Sequence, residues 1–369
     1  MKKIILAKPV INIKEATKNI KDVLNSNYVN EGKYTKKFEK KICKFLKVRY
    51  AVTATSGTAA LFLALKANGV KYNDEVIIPN ITFPATANAI KMAGAKPILV
   101  DVNPSNLLID EKSLLKKISL KTKFVIPVHV SGRGDNIKKI ISICKKKSIK
   151  VIEDAAEALG SRIKAKSLGT FGIAGCFSFA PNKIITTGQG GIVVTNNKNV
   201  YKNLKILKDQ GRIGPTTGGE DNYVSVGYNF KLSNLQSSLG LSQMKNLGWR
   251  MEKLRGIYKY YLKNIKQNKK FKIIKFDLKN GELPLWTDVW CQNRNVLFKF
   301  LASKNIICRY YWKPVNTCNP YRTSFKSLNN SKILQNKMMW LPSSLDMNLK
   351  QQKKVCDLIN AFYSKEKRK

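Results

Sequence analysis

An alternation of short apolar runs with helical segments is the feature of this sequence that most constrains its fold. Apolar runs bounded by turn residues are typical of buried strands, and the segments between them have the spacing and end signals of helices. The predicted strands are 50–57, 75–79, 96–102, 124–130 and 150–156, and the helices between them are 58–69, 83–94 and 137–148. This order predicts an α/β fold with a mostly parallel central sheet and helices on both faces. Such sheets bind ligands at the carboxyl ends of their strands, so residues that follow a strand are the first candidates for a site.

The stretch GCFSFAPNKIITTGQGGIVVTNN, residues 175–197, contains the strongest candidate. It predicts a buried strand, a turn with Lys183, a glycine-rich turn and a second buried strand. A lysine between two buried strands is partly desolvated, which lowers the proton affinity of its amine and makes it a nucleophile suited to a Schiff base with an aldehyde cofactor. The alternative is a solvated turn lysine in a lysine-rich chain.

Two further candidates follow predicted strands. Ser56, Gly57 and Thr58 lie where a strand turns into a helix, and backbone N–H groups at a helix start bind phosphate. An ordinary N-cap is the alternative for these residues. Asp154 follows the apolar strand KVIE, where a buried carboxylate needs a cationic or hydrogen-bonding partner, such as a protonated pyridine nitrogen. An N-cap aspartate is the alternative there.

Three further residues are weaker candidates for the site, because each also has a purely structural explanation. Phe83 could stack on a flat cofactor ring or belong to the core. His129, the only histidine, ends a predicted strand and is either an active-site residue or a satisfied core histidine. Asn229, in GYNFKLS, is most simply a turn or cap residue. The combination carries more weight than any one residue, because phosphate turn, aromatic residue, aspartate and lysine follow one another on a single α/β scaffold.

Composition excludes several classes of protein. The 369 residues have a formal net charge of +45, and 10 of the 68 basic residues are arginine, leaving 58 lysines scattered along the chain. Nucleic-acid readers favour arginine, and no reader motif is present, so no specific nucleic-acid binding is expected. The chain has seven widely spaced cysteines, none of them in a CxxC motif, and one histidine. This pattern predicts neither a metal site nor a disulfide framework, and it favours the reducing cytoplasm as the location. No apolar run predicts a signal peptide or a membrane span.

The chain also divides by composition. A polar loop is predicted at 213–221, a largely helical region follows it, and short strands and helices follow residue 268. We therefore predict a large domain at 1–245 and a smaller carboxy-terminal α/β domain at 246–369.

Six motifs together resemble the pyridoxal-phosphate-dependent nucleotide-sugar aminotransferases of fold type I, the DegT/DnrJ/EryC1/StrS family. The motifs are SGTAALFLAL, TFPATANAI, GAKPILVDV, VIEDAAEALG, CFSFAPNKIITTGQGGIVVTNN and GYNFKLSNLQSSLGLSQ, and they span most of residues 28–250. The resemblance implies pyridoxal 5'-phosphate as cofactor and a homodimer with shared active sites.

The resemblance also implies a role for each candidate. Lys183 would form the Schiff base and later carry the proton, and Asp154 would pair with the pyridinium nitrogen. Phe83 would stack on the ring, and Glu157 would lie near the ring hydroxyl, where many relatives have glutamine. The phosphate would be held by Ser56, Gly57, Thr58 and Ser178 of the same chain. Asn229 of the partner subunit would join them.

The resemblance is nearest to perosamine synthases, which read DAAEA and NKIITTGEGG where this chain reads DAAEA and NKIITTGQGG. It implies transfer of an amino group from L-glutamate to carbon 4 of a nucleotide-linked 4-keto-6-deoxyhexose, for a cell-surface polysaccharide or related glycan. A 3-keto-sugar nucleotide is the alternative substrate. From other classes, a basic nucleic-acid-binding protein and a non-catalytic regulatory protein on the same scaffold are the alternatives.

Two departures from the family concern the sugar. The family often reads R-x-x-x-x-P-x-H in a loop where this chain reads RYYWKPVN, residues 309–316, so that asparagine replaces the histidine. Many relatives also have H-x-Y-G where residues 129–132 read HVSG. The expected substrate contacts are His129, Arg309, Trp312 and Asn316. A surface salt bridge is the alternative for Arg309.

Overall fold

The computed structural model describes residues 3–214 and 222–366, which leaves most of the predicted loop at 213–221 outside the described residues. The helices are α1 (Ile13–Asn25), α2 (Lys33–Leu46), α3 (Gly57–Ala67), α4 (Ala85–Met92), α5 (Glu111–Lys117), α6 (Ile137–Lys146), α7 (Lys198–Lys208), α8 (Asn234–Met244), α9 (Leu247–Asn264), α10 (Arg294–Ser303), α11 (Asn329–Leu334) and α12 (Leu349–Glu366). The strands are β1 (Tyr50–Ala54), β2 (Glu75–Pro79), β3 (Lys96–Val100), β4 (Thr122–Val125), β5 (Lys150–Asp154), β6 (Arg162–Ile163), β7 (Lys166–Ser167), β8 (Ala174–Ser178), β9 (Gly191–Thr195), β10 (Arg212–Ile213), β11 (Asn222–Tyr223), β12 (Phe271–Ile273), β13 (Thr287–Cys291), β14 (Arg309–Tyr310) and β15 (Met338–Leu341).

The large sheet has, within the described residues, the order β1-β9-β8-β5-β4-β2-β3. The pairs β8–β5, β5–β4, β4–β2 and β2–β3 are parallel, whereas β9 runs antiparallel to both of its neighbours. Because β1 and β8 both oppose β9, they point the same way as β5. The carboxyl ends of β1, β2, β5 and β8 therefore meet at one edge, and the predicted mostly parallel α/β fold is confirmed.

Helix α3 shows why the sequence folds this way at the site. Its residues 59–65 are all buried, because the helix packs on β8 and β9 on one side and on α4 and α7 on the other. A helix that is apolar all round belongs in the interior. Ser56 caps it, since the Ser56 hydroxyl oxygen accepts the N–H of Ala59 at 3.1 Å. The first turn of α3 is thereby held at the carboxyl end of the sheet.

The predicted strand 124–130 is wrong beyond its first residues. Strand β4 ends at Val125, and Val128 only forms an isolated bridge with Asp154. Pro127 has no N–H with which to continue the regular ladder, although the Pro127 carbonyl and the His129 N–H still hydrogen-bond to the backbone of Asp154. Residues 130–132 form a short 3₁₀ turn in which Ser131 has a φ of 52°.

A second, antiparallel sheet of order β12-β13-β15-β14 forms the core of the carboxy-terminal part, with α10 and α12 packed nearby. Ile4 pairs with Ile306 and is buried in this core, so the described amino-terminal end packs with the carboxy-terminal sheet. Helix α8 ends at Met244, next to the predicted boundary, and the division into domains stays a prediction. Helix α9 contributes Leu254 to the large core and Tyr261 to the small one, which joins the two.

None of the described helices is long and apolar enough to cross a membrane. All seven cysteines are free thiols. The described residues contain no group of three or more side chains arranged to hold a metal ion.

Candidate active site

A cavity of about 290 Å³ lies where β1, β2, β5 and β8 end. Ten of the thirteen residues predicted for the site line it, and the other three, His129, Asn229 and Asn316, do not. Residues 286, 309 and 312 close the cavity from the carboxy-terminal side. Side chains that are far apart in the sequence are thus brought together at one edge of the sheet.

The first turn of α3 forms one end of the cavity. The N–H groups of Gly57 and Thr58 are first-turn donors, which have no acceptor within their own helix. A Cβ on Gly57 would lie 2.9 Å from the Cβ of Ser178, so only glycine lets the end of β8 come this close. Free amides and the Ser178 hydroxyl at a helix N-terminus suit a phosphate group. Ser56 is the N-cap that the alternative predicted, and it also lines the cavity.

Asp154 lies at the end of β5 and is 5% exposed. Its carboxylate accepts the Thr86 hydroxyl at 2.7 Å and the Ala156 N–H at 3.2 Å. Burial raises the pKa of the Asp154 carboxyl, and these hydrogen bonds, together with Lys183 and His129, oppose that rise. Within the described residues no cation lies within ion-pair distance of it. The site therefore holds a buried carboxylate that a cationic ring nitrogen would satisfy.

Lys183 lies on the turn after β8, with its side chain only 12% exposed. Its Nζ is 3.2 Å from Oε1 of Glu157 and 5.2 Å from the ring centre of Trp286. Glu157 is itself buried, which raises the pKa of its carboxyl, and Lys183 and the Ser131 N–H oppose the rise. Lys183 is therefore not the solvated turn lysine of the alternative interpretation.

Phe83, Trp312 and Arg309 form the rim. Phe83 is 51% exposed, which is not the position of a core residue, and its ring centre lies 6.1 Å from that of Trp312. The guanidinium of Arg309 lies 5.8 Å from the ring centre of Trp340, and no described acidic side chain pairs with it. The surface salt bridge considered for Arg309 is thus not formed in the described part of the chain.

His129 and Asn316 are buried and do not line the cavity, and their expected contact with the substrate stays a prediction. His129 Nε2 lies 2.8 Å from Glu153 Oε2, and Nδ1 lies 3.1 Å from the Arg133 carbonyl, so both ring nitrogens are occupied. Asn316 exchanges hydrogen bonds with Asn80 and donates to the Thr323 carbonyl. Of the two interpretations of His129, the structure favours the satisfied core histidine. Both residues stabilise loops behind the cavity.

Asn229 lies outside the cavity of its own chain. It is exposed and forms a backbone bridge with Asp209, where the chain returns from the hairpin of β10 and β11. Its expected contact is with a second subunit, and that expectation stays a prediction.

Of the residues that sequence reasoning missed, two contact predicted site residues directly. Thr86, which holds Asp154, lies three residues after Phe83 at the start of α4, and the helical spacing could have indicated it. Trp286 gave no local signal, because it reaches Lys183 only through packing between the two sheets.

A model of the DegT/DnrJ/EryC1/StrS aminotransferase family matches residues 11–360, and the chain belongs to this family. The GDP-perosamine synthase of Escherichia coli O157:H7 is 35% identical to it over 99% of this chain and 100% of the relative. The UDP-4-amino-4,6-dideoxy-N-acetyl-beta-L-altrosamine transaminase of Campylobacter jejuni (strain 81-176) is 33% identical over 97% of this chain and 96% of the relative. The structure of Helicobacter pylori PseC, an aminotransferase involved in the biosynthesis of pseudoaminic acid, is 28% identical with a TM-score of 0.91, covering 99% of this chain and 100% of that one.

The resemblance inferred from the six motifs is therefore confirmed. The chain is an enzyme of the pyridoxal-phosphate-dependent sugar aminotransferase class. The residues present fit the cofactor: first-turn amides and Ser178 suit its phosphate, unpaired Asp154 suits its ring nitrogen, and Lys183 suits its aldehyde.

Proposed function

We propose that the protein transfers an amino group from L-glutamate to carbon 4 of a nucleotide-linked 4-keto-6-deoxyhexose. The observation that carries this proposal is the end-to-end similarity, at 35% identity, to a GDP-perosamine synthase. A second GDP-perosamine synthase, from Vibrio cholerae, is 31% identical. The Campylobacter relative is named for a 4-amino-4,6-dideoxy sugar, which supports the same carbon and the same 6-deoxy class.

Pyridoxal 5'-phosphate supplies an electron sink that lets an amine pass from an amino acid to a keto group. The start of α3 and Ser178 hold its phosphate in this proposal, and Asp154 holds its ring nitrogen protonated. Phe83, at the rim, would pack against the ring, and Glu157 would lie beside the ring hydroxyl. All of these residues line the same cavity.

Lys183 attaches the cofactor and moves the proton. Lys183 lines the cavity, and its amine has Glu157 at 3.2 Å, a carboxylate that stabilises the charged amine between steps. The ring centre of Trp286 lies 5.2 Å from Nζ, so the indole covers one face of the amine and keeps water from that face. The lysine is thus held at one place while substrates exchange.

The sugar nucleotide enters over the rim. Arg309 is an exposed cation there without an acidic partner in the described residues, and an arginine of this kind binds a diphosphate through paired N–H donors. Trp312 offers an aromatic surface beside it for a sugar ring. The large positive charge of the chain favours the approach of an anionic substrate.

The enzyme works as a homodimer in this proposal, with Asn229 of the partner subunit reaching the phosphate. The segments before Asn229 support this, because they expose apolar side chains: Ile213 in β10 by 49%, Tyr223 in β11 by 58% and Val226 after β11 by 81%. Exposed apolar side chains grouped in one part of the chain indicate an interface. Analytical ultracentrifugation at assay concentration tests it, and an active monomer would refute it.

The decisive experiment is NMR analysis of products. The enzyme is loaded with pyridoxal 5'-phosphate and incubated with L-glutamate and a panel of GDP-, UDP- and dTDP-linked 4-keto and 3-keto sugars. We expect an amine at carbon 4 of a 6-deoxy sugar. An amine at carbon 3, or no sugar accepted, would contradict the proposal.

A further inference from the structure

Ser131 links the catalytic cavity to the carboxy-terminal sheet. It is fully buried and has a φ of 52°, in the left-handed region that a non-glycine residue adopts only when its surroundings hold it there. Its backbone N–H, backbone carbonyl and hydroxyl all form hydrogen bonds, and they point to different parts of the molecule.

On one side, Ser131 holds the counter-ion of the catalytic lysine. The Ser131 N–H donates to Oε2 of Glu157 at 2.8 Å, while Oε1 of Glu157 lies 3.2 Å from Nζ of Lys183. One carboxylate thus has each of its oxygens tied to a different partner. The position of Glu157, and with it the charge beside Lys183, depends on where Ser131 lies.

On the other side, the carboxy-terminal part of the chain holds Ser131. The Ser131 hydroxyl donates to Oδ1 of Asp288 in β13 at 2.8 Å, and the Ser131 carbonyl accepts the Leu285 N–H at 2.9 Å. Asp288 is fully buried, pairs with Arg133 and accepts the Trp340 indole N–H. A buried carboxylate with this many partners is a rigid anchor.

We propose that Ser131 is a positioning residue that fixes Glu157 against Lys183 through its hydroxyl bond to Asp288. The small domain thereby sets the surroundings of the catalytic amine, although Asp288 does not touch the cavity. The inference rests on the proposed role of Lys183. Because the contacts belong to the protein alone, they are testable without turnover.

The chain offers a matched control in Ser161. It is also fully buried, and its hydroxyl also joins the loop of residues 129–133 to the carboxy-terminal part, by donating to the Gly132 carbonyl at 2.7 Å and accepting the Leu283 N–H at 2.8 Å. Ser161 does not contact Glu157. Ser161→Ala therefore removes a similar link between the same two segments without freeing the carboxylate.

The first measurement uses the protein without added cofactor. A brief pulse of acetic anhydride at fixed pH, followed by peptide mass spectrometry, gives the acylation rate of Lys183 relative to the other lysines. In Ser131→Ala we expect this rate to change about fivefold, the size expected for one lost hydrogen bond, and in Ser161→Ala to remain at the wild-type value. Equal rates in both variants would overturn the proposal.

Two further measurements separate the hydroxyl from the backbone and from the proposed function. Ser131→Gly also loses the hydroxyl but adopts a positive φ without strain, so it should match Ser131→Ala; wild-type behaviour in Ser131→Gly would assign the effect to strain and overturn the proposal. In the loaded enzyme, the pH dependence of the visible absorbance should shift in Ser131→Ala and not in Ser161→Ala. If no keto sugar is aminated, the proposed function fails, while the acylation comparison still decides the role of Ser131.

Discussion

Lys208 is buried and the side chain of Lys183 is largely shielded from solvent, yet of the two only Lys183 lines the cavity at the carboxyl ends of the strands. Lys208 ends α7 with its side chain 5% exposed, and its Nζ lies 2.7 Å from Glu31 and 3.7 Å from Glu39. Lys183 is 12% exposed and has one carboxylate, that of Glu157, with an open cavity on its other side. Burial alone therefore does not make a lysine catalytic.

The two carboxylates keep Lys208 charged. Burial lowers the pKa of its amine, but Glu39 and Glu31 raise it by more, so that the net shift is upward. An amine held in its charged form has no free electron pair and forms no covalent bond. Among the described residues, Lys183 has only one carboxylate beside its amine, because the cavity occupies the space in which a second carboxylate would lie.

The largest expected effect is that of Lys183→Ala. It removes both the covalent attachment and the proton transfer, so we expect turnover to fall by roughly 1,000-fold or more. The visible absorbance of the cofactor-loaded protein should disappear with it. Product NMR and an absorption spectrum measure both. Lys208→Met is the comparison and should retain turnover; unchanged activity in Lys183→Ala would refute the assignment.

Lys208→Met should instead lower stability. It leaves Glu31 and Glu39 without their cation, and we expect the free energy of unfolding to fall by about 2 to 3 kcal/mol. Urea unfolding measures this, with the exposed Lys202→Met as control, which should stay near the wild-type value. If Lys208→Met is as stable as the Lys202→Met control, the ion pairs of Lys208 contribute nothing to the free energy of unfolding.

The ion pairs of Lys208 with Glu31 and Glu39 also predict how the effect of Lys208→Met on stability changes at high pH. The folded-state pKa of Lys208 is raised above its ordinary value of 10.5, so its stabilising contribution is fully present below that value and is lost as the pH rises through the folded value. The stability gap between wild type and Lys208→Met should therefore narrow in that alkaline range. A gap that is constant with pH would contradict the upward shift.

Asp154→Asn tests the buried carboxylate that, within the described residues, has no cationic partner, in contrast to Glu31 and Glu39 beside Lys208. The amide does not keep the cofactor ring nitrogen protonated, so we expect some cofactor to remain bound while turnover falls by roughly 100-fold. Absorbance measures the bound cofactor and product NMR the rate. A near-normal rate in this variant would show that Asp154 is not needed to keep the ring nitrogen protonated.

Glu157→Gln should have the smallest effect. The amide oxygen still accepts from Lys183, while the charge is lost, and we expect turnover to fall by less than about tenfold. Because the amide nitrogen that replaces Oε2 cannot accept the buried Ser131 N–H, we expect the free energy of unfolding to fall by about 1 to 3 kcal/mol. A loss as large as that of Lys183→Ala would make Glu157 a second essential group.

The sequence predicted the parts of the site that follow strands. Strand β2 has its predicted bounds, 75–79, and Asp154 and Ser178 end strands whose apolar patterns are local. Strand 124–130 failed after Val125, because a local apolar pattern does not reveal which residues find a neighbour to pair with. Lys208 was not singled out for the same reason, since Glu31 and Glu39 are remote in sequence.

The sequence by itself determined the α/β fold, the glycine-bounded turn of Lys183, the capped start of α3 and the family. These depend on spacing, turn residues and apolar runs, which act over a few neighbouring residues. Only the tertiary structure decided that His129 and Asn316 are occupied behind the cavity, that Trp286 covers Lys183, and that Ser131 joins Glu157 to Asp288. The contact of His129 reaches the neighbouring strand β5, and the other contacts join the large-sheet part of the chain to its carboxy-terminal part, so all of them are set by tertiary packing rather than by any local pattern.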